Sequence, residues 1–598
     1  MKKFLKYVFA TFIGTLFGII VFFLILFGII VGSTSMVSDY TQSDVTVKDS
    51  SFLILTFQEP IKEKTSFNPL GTIMRSKNPV SIGLTDICES IRKAANDDNI
   101  RGIILLPDVL QAQYTTVFEI RRALEIFKES GKPIYSYADI YSQKSYILSS
   151  LADFVGMQPQ GMFEMRGISS QTLFFKDALK KIGIQPVLFR AGKYKSAAES
   201  LLLDSLSPAN REQISAYISD IWSHYSHTVQ DSRADIQYPL SYYADNLMVW
   251  NAENAYSQNF VDSVMYYDEF LSFVHKSAQI PENDDIPQIN LSNYMLYQTQ
   301  QNAGDLLTDN SPKIAVVIAE GSIDMGEGDE QSIGAQKYAR MLRKIGKDSL
   351  VQAVVLRINS GGGSALASDI IWREVQRLAD KKPLIVSMGD YAASGGYYIA
   401  APAHTIVAEH STLTGSIGVF GMYVRADEGM EKLGLNFDTV KTNNFSDFGS
   451  PFRDVTGREL AVITNGVDDV YNTFKARVVE GRNLSLEFVD TIAQGRIWSG
   501  KDAYELGLVD TLGSISDAID IAVNSAHISG EYSLEMYPKS EGLMDFVSRS
   551  LFRSNVDVFS VLSGLFGNEA VSALEEITRT VPQKNGLYMQ YPYVLHIE

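Results

Sequence analysis

KKPLIVSMGDYAASGGYYIAAP (Lys381–Pro402) changes its periodicity at a single residue. Pro383–Met388 is a short apolar run rich in branched side chains, the pattern of a strand, and GYYIAAPA after it reads as a helix. Ser394 stands at the hand-over. A serine at such a junction projects toward the carboxyl edge of a sheet, where the next backbone N–H, that of Gly395, can face a developing oxyanion. The start of a helix adds positive potential there. A turn of small residues kept for close packing fits the same letters.

The stretch has a counterpart earlier in the chain, GKPIYSYADIYSQKSYIL (Gly131–Leu148). Further pairs flank the two. SFLILTFQEPI (Ser51–Ile61) matches KIAVVIAEGSI (Lys313–Ile323), and NIRGIILL (Asn99–Leu106) matches LVQAVVLRI (Leu350–Ile358). DALKKIGIQPV (Asp177–Val187) matches GMEKLGLNFDTV, and VWNAENAYSQNFVD (Val249–Asp262) matches IWSGKDAYELGLVD (Ile497–Asp510). The partners stay about 250 residues apart, so the chain carries two tandem copies of one fold, 51–300 and 301–540. Each copy alternates strand runs with helical patterns such as SDIIWREVQRLAD (Ser368–Asp380), which predicts an α/β fold with a largely parallel sheet. Residues 275–312, rich in Asn, Gln and Asp, read as the connection between copies; 541–598 reads as a helical tail.

At the other end, MKKFLKY is followed by an uncharged apolar run from Val8 to Val31. At about 1.5 Å per residue this run exceeds a hydrocarbon core of about 30 Å. It is too long for a cleaved signal, and its flank lacks an Ala-x-Ala site. Residues 1–33 are therefore expected to be an uncleaved transmembrane signal anchor, with Lys2, Lys3 and Lys6 cytoplasmic and the rest of the chain across the membrane, after a polar stalk at 34–50. The remaining composition is that of a globular body, 45% apolar and 20% charged. The net charge of -18 argues against nucleic acid as a partner. One cysteine, Cys88, allows no intrachain disulfide and no cysteine-held zinc.

If Ser394 is a nucleophile, it needs donors for an oxyanion and a base. RINSGGGSALASD (Arg357–Asp369) follows a strand and opens a helix, and consecutive glycines there suit a backbone that approaches a ligand; Gly362 or Gly363 can supply the second donor beside Gly395. A phosphate-cradling loop or a plain turn fits the same letters, but no Gly-Lys-[Ser/Thr] follows, which argues against a P-loop. His404 and His410 are the histidines within fifty residues of Ser394, and nothing in their context favours a triad. The alternative base is a lysine kept neutral by loss of hydration. AGKYKSAAES (Ala191–Ser200) offers Lys195 among small and aromatic neighbours, with Lys193 as its rival. Aligning the copies sets Lys195 opposite Ser446, Ser394 opposite Gln143 or Lys144, and Gly362 and Gly363 near Gln111 and Ala112. One copy thus keeps a base and the other a nucleophile, as expected of a Ser/Lys site shared between two domains.

GKYKSAAES, RINSGGGSALASD, GDYAASGGYYIAAPAHTIVAEHSTLTGSIGVFG and GRIWSGKDAYELGLVD resemble the signal peptide peptidase A family, in its long membrane-anchored bacterial form, over nearly the whole chain. The resemblance implies a Clp/crotonase-like fold in each copy, Ser394 as nucleophile, Lys195 as general base and Ser416 as the residue that orients the lysine. It implies no cofactor and no metal, a homotetramer, and remnant signal peptides and other apolar peptides as partners. It places the body on the outer, periplasmic side of the bacterial inner membrane. The chain departs from the family pattern at Gly361, where a proline is usual. Two other functions use the same features: a crotonase-like enzyme acting on acyl-CoA thioesters, and a non-catalytic membrane scaffold.

Overall fold

The computed structural model describes Gly14 and residues 45–67, 80–107, 109–281, 284–302, 311–329, 331–539 and 587–590. The expected anchor, the stalk before residue 45 and most of the tail from 541 lie outside them. Among the described residues no helix is long and apolar enough to cross a membrane.

The apolar runs that the repeat pairs become equivalent strands of two separate sheets. In the first, Ser51–Thr56 lies between Ile100–Leu106 and Gln288–Asn290, and the sheet continues through Ile134–Tyr141, Phe154–Phe163 and Ser263–Val264. In the second, Lys313–Glu320 lies between Val351–Ser360 and Ser533–Tyr537, followed by Leu384–Ala393 with Thr405–Ala408 and Leu413–Gly415 beside it. These neighbours pair in parallel. Alternate residues serve opposite faces, as a sheet covered on both sides requires. Ala315, Val317 and Ala319 pack with Leu342 and Val375 of the helices Ala335–Ile345 and Ala365–Ala379. Ile314, Val316 and Ile318 pack instead with Ile519 and Ala522 of the helix Ile515–Ser525.

The duplication extends to single hydrogen bonds. Tyr146 donates to the Phe260 carbonyl at 2.5 Å, and Tyr397 donates to the Leu508 carbonyl at 2.8 Å. Asp262 Oδ2 accepts from Val155 N at 2.7 Å, and Asp510 Oδ2 accepts from Ile406 N at 2.7 Å. Each aspartate also meets an arginine, Arg233 and Arg482 respectively. Such pairs tie the strand after the Ser394-type junction to a long helix, Pro208–Ser232 in one half and Gly457–Arg482 in the other.

Two expectations change. The supposed connection at 275–312 contains Gln288–Asn290, which pairs with Ser51–Thr56 as Ser533–Tyr537 pairs with Lys313–Glu320. It buries only Ile289 between exposed neighbours, so an edge strand with one apolar residue is hidden in polar composition. Of the tail, expected to be helical, the structure describes Leu587–Gln590, a strand paired on both sides.

A third, mixed sheet joins the halves. Its order is Ser332–Gly334, Ser322–Asp324, Gly362–Ser364, Leu587–Gln590, Val419–Arg425 and Gln185–Ala191. The last of these belongs to the N-terminal half. A buried ion cluster also crosses between the halves. Arg357, wholly buried, donates through Nε to Glu63 at 2.8 Å and through Nη2 to Glu63 at 3.1 Å and Glu119 at 2.6 Å. Its Nη1 donates to Ser387 Oγ at 2.9 Å and the Met388 carbonyl at 3.1 Å. These contacts match the guanidinium's five N–H donors. Glu119 also accepts from Ile515 N at 2.9 Å, and burial pulls its carboxyl up to about 7 against the pull of Arg357.

Arg357→Met would strand two buried carboxylates, a loss of about 3–5 kcal/mol. The expected readout is a lower thermal midpoint and faster proteolysis at the junction of the halves. Arg357→Lys, which keeps the charge but only three donors, should fall between the variant and the parent.

Candidate active site

The strand Leu384–Ala393 ends at Ser394, whose φ of 56° turns the chain sharply into the helix Gly395–Ala400. Its N–H donates to the Gly415 carbonyl at 2.8 Å and its carbonyl accepts from Tyr398 N at 2.9 Å. The two bonds hold the Ser394 backbone in place. Asp390, just upstream, is clamped by Thr116 of the N-terminal half through its N–H at 3.0 Å and its hydroxyl at 2.9 Å. Burial raises that carboxyl to about 6.

Lys195 arrives by strand register. Gln185–Ala191 pairs antiparallel with Val419–Arg425 along its whole length, with Ala191 opposite Val419. The residues just after Ala191 therefore meet those just before Val419. Lys195 Nζ lies 2.7 Å from Ser394 Oγ, 3.0 Å from Ser416 Oγ and 3.1 Å from the Ser416 carbonyl. All three residues are buried, with Lys195 only 2% exposed. Desolvation holds the amine well below the ordinary lysine range, and it is the single cause. A neutral amine has two N–H donors and one lone pair. The two donors match the two oxygens of Ser416, and the lone pair is left for the Ser394 hydroxyl. Ser416 takes a positive φ of 48°, and its N–H donates to the Arg496 carbonyl at 2.7 Å.

The lysine loop is held by a segment to which the sequence reading gave no role. Tyr194 N donates to the Gln494 carbonyl at 2.8 Å, and Gly495 N donates to the Ile417 carbonyl at 2.8 Å. Gly495 has φ 73°, and a Cβ on it would sit 2.6 Å from Lys195 Cβ. Only glycine lets the two backbones close over the amine. Gln213, also buried, donates to the Tyr194 carbonyl at 3.1 Å and accepts from Ile497 N at 3.1 Å. In the sequence, the sole signal for Gly495 was its place in GRIWSGKDAYELGLVD, one of the segments that carry the family resemblance.

The remaining candidates separate. Lys193 is exposed, with its amine 4.9 Å from the Tyr194 ring. His404 is exposed and its Nδ1 accepts from Leu384 N at 3.1 Å. His410 stacks on His224 at 4.4 Å. Gly395 is the first residue of the helix after Ser394, and a Cβ on Gly396 would meet the Ser360 carbonyl at 2.6 Å, so the glycine loop lies against that helix. Gly362 already donates its N–H to Ser360 Oγ at 3.1 Å. Gly363 pairs with Ile323. Among the described residues no group of His, Cys, Asp and Glu could hold a metal ion.

The equivalent place in the N-terminal half is plugged. Gln143 accepts from Arg166 N and Gly167 N, both at 2.7 Å, and donates to the Gly167 carbonyl at 2.9 Å. Ser446, set opposite Lys195 by the repeat, is exposed.

Comparison with known proteins identifies the family of the chain. The model of Peptidase family S49 matches twice, at residues 126–281 and 376–529. Protease 4 of Haemophilus influenzae is 36% identical over 74% of this chain and 73% of its own. Protease 4 of Salmonella typhi is 32% identical over 88% of this chain and 86% of its own. The chloroplastic serine protease SPPA of Arabidopsis thaliana is 31% identical over 89% and 77% respectively. The chain belongs to Peptidase family S49 and is a serine peptidase of the long, tandemly duplicated type.

Proposed function

We propose that the chain is a membrane-anchored endopeptidase with a Ser394/Lys195 dyad, acting on apolar peptides such as remnant signal peptides. The observation that carries the dyad is the 2.7 Å approach of a desolvated lysine amine to a buried serine hydroxyl. Ser394 Oγ attacks the peptide carbonyl carbon while its proton passes to the Lys195 lone pair. Ser416 orients the amine through its hydroxyl and carbonyl. The carbonyl oxygen, now negative, is held by the Gly395 N–H and by that of Gly363 or Gly362; the bond from Gly362 to Ser360 favours Gly363. The C–N bond breaks as the new ammonium returns its proton to the leaving amine. Water, deprotonated by Lys195, then attacks the acyl carbon; the bond to Ser394 Oγ breaks and that oxygen takes the proton back from Lys195.

The finer fold reading is a Clp/crotonase-like domain in each half, supported by two parallel βα sheets in matching order. Residues 1–33 anchor the chain, and the body faces the periplasm, as the apolar run after Lys2, Lys3 and Lys6 suggests. The assembly is a homotetramer. Its support is the segment 433–442, aligned with 182–191, where Leu433, Leu435, Phe437 and Val440 are exposed. In the N-terminal half the equivalent strand is covered by a partner sheet; a second copy of the chain would cover this one.

Lys195→Ala and Ser394→Ala should each lower turnover of an apolar peptide by at least about 10³-fold while the fold is kept; near-parental turnover in either sinks the dyad. Activity should rise with pH through one ionisation far below the ordinary lysine value of about 10.4, since only the neutral amine accepts a proton. A profile that climbs only above pH 9 would contradict the buried amine. Lys195→Met supplies the sign from the other side. The parent must discharge this lysine to fold, because its folded-state affinity for a proton is depressed. Parental stability on this account rises with pH up to the unfolded lysine value. The methionine variant should therefore be inactive yet melt higher than the parent at pH 7, with the gap closing toward pH 10.

A further inference from the structure

The helix Pro208–Ser232 belongs to the N-terminal half, but one face of it is bonded to the C-terminal half. Gln213, Tyr217 and Asp220 fall on that face at helical spacing. The Tyr217 hydroxyl donates to the Ser411 carbonyl at 2.8 Å, and Asp220 accepts from Ser499 Oγ at 2.7 Å. Gln213 differs from these two in touching both sides of the active site.

Its Oε1 accepts from Ile497 N at 3.1 Å, and its Nε2 donates to the Tyr194 carbonyl at 3.1 Å. Ser196 Oγ at 3.2 Å and Asn210 Oδ1 at 2.9 Å are further acceptors for the same nitrogen. Tyr194 immediately precedes the base. Ile497 pairs with Gly415, whose carbonyl holds Ser394 N, and the carbonyl before it, that of Arg496, holds Ser416 N. One amide therefore spans from the lysine loop to the chain segment that supports both serines.

The orientation of that amide is fixed from behind. Glu199, which is buried, accepts from Ser207 Oγ at 2.6 Å and from Asn210 Nδ2 at 3.0 Å. With its nitrogen turned to Glu199, Asn210 presents its oxygen to Gln213, and Gln213 must answer with a donor. Arg190 closes the ring, 3.6 Å from Glu199 and 3.3 Å from the Lys195 carbonyl. Gln213 itself is 1% exposed, so water does not replace a bond lost on either side. The other main-chain bond from this loop to the 494–497 segment runs from Tyr194 N to the Gln494 carbonyl. A single bond is a pivot about which the loop can turn. A second bond, through the other main-chain group of the same residue, stops the turn.

We propose that Gln213 is a positioning residue for the proton transfer from Ser394 to Lys195, its amide bracing the base loop against the segment that supports the nucleophile. The inference rests on the dyad reading above. Gln213 acts through Tyr194 and Ile497 and touches neither of the reacting atoms. A neutral amide suits the place, because it offers a donor to one half and an acceptor to the other and adds no charge beside the amine. A misplacement of about 1 Å in such a pair costs about 10²-fold in rate.

The test compares three variants of the full chain, Gln213→Leu, Gln213→Glu and Tyr217→Phe. Gln213→Leu loses both bonds at similar volume. Its kcat for an apolar peptide should fall about 10²-fold with KM within about twofold of the parent's, and labelling of Ser394 by a fluorophosphonate should slow by a similar factor. Gln213→Glu can donate to the Tyr194 carbonyl only while protonated. Its kcat relative to the parent's should therefore fall as pH rises, over the range where the parent's own kcat climbs. Tyr217→Phe removes a buried bond from the same helix face without reaching the base loop. It should lower the thermal midpoint and leave kcat within about twofold of the parent's. Parental kcat in Gln213→Leu, a Gln213→Glu to parent ratio that is flat with pH, or an equal loss of kcat in Tyr217→Phe would each overturn the role of Gln213 and leave the peptidase intact. If Gln213→Leu does not fold, the pH course of the Gln213→Glu ratio decides alone. Absence of labelling at Ser394 in the parent would instead overturn the dyad reading, and the inference with it.

Discussion

A lysine amine loses its proton more readily where water is kept from it, and here one strand pairing does that. Gln185–Ala191 lies along Val419–Arg425, and the turn after it is roofed by Gln494, Gly495 and Gln213. The pairing fixes distance and dielectric together. A slip of one residue would send alternate side chains to the opposite face and carry Lys195 away from Ser416. Desolvation then supplies a base with no carboxylate to orient it, a task that falls to the two oxygens of a neighbouring serine.

Duplication explains why the halves can divide this work. Each copy builds the same scaffold, down to a tyrosine bonded to a distant carbonyl and an aspartate bonded to a strand N–H. On that scaffold one junction carries Ser394 and the other Gln143, whose side chain is bonded to the backbone of Arg166 and Gly167. The joint between the copies is held by charge as well as by strands. Arg357 from one half directs three N–H donors to two glutamates of the other and two to Ser387 and Met388 beside it, which leaves the guanidinium no spare donor.

Much of this was legible in the letters. The repeat, the parallel α/β pattern, the strand-to-helix turn at Ser394 and the glycine loop follow from periodicity and spacing. Lys195 and Ser416 needed the resemblance as well, because their surroundings are made by segments more than two hundred positions away. Locally, Lys193 and Lys195 look alike; one is exposed and the other buried only because of Gly495 and Ile417. The strand Gln288–Asn290 was hidden because it buries a single residue. Glu63, Glu119 and Arg357 were invisible because charged residues read as surface until a partner is placed beside them.

The separation of amine and alcohol by about two hundred residues bears on when the molecule becomes dangerous to its surroundings. A polypeptide is made from its amino end, so the half bearing the amine is finished first and has no alcohol to activate. The other half acquires a base only once it docks against its predecessor. Unfinished chains therefore lack the paired groups, and competence arrives only when the second half docks on the first.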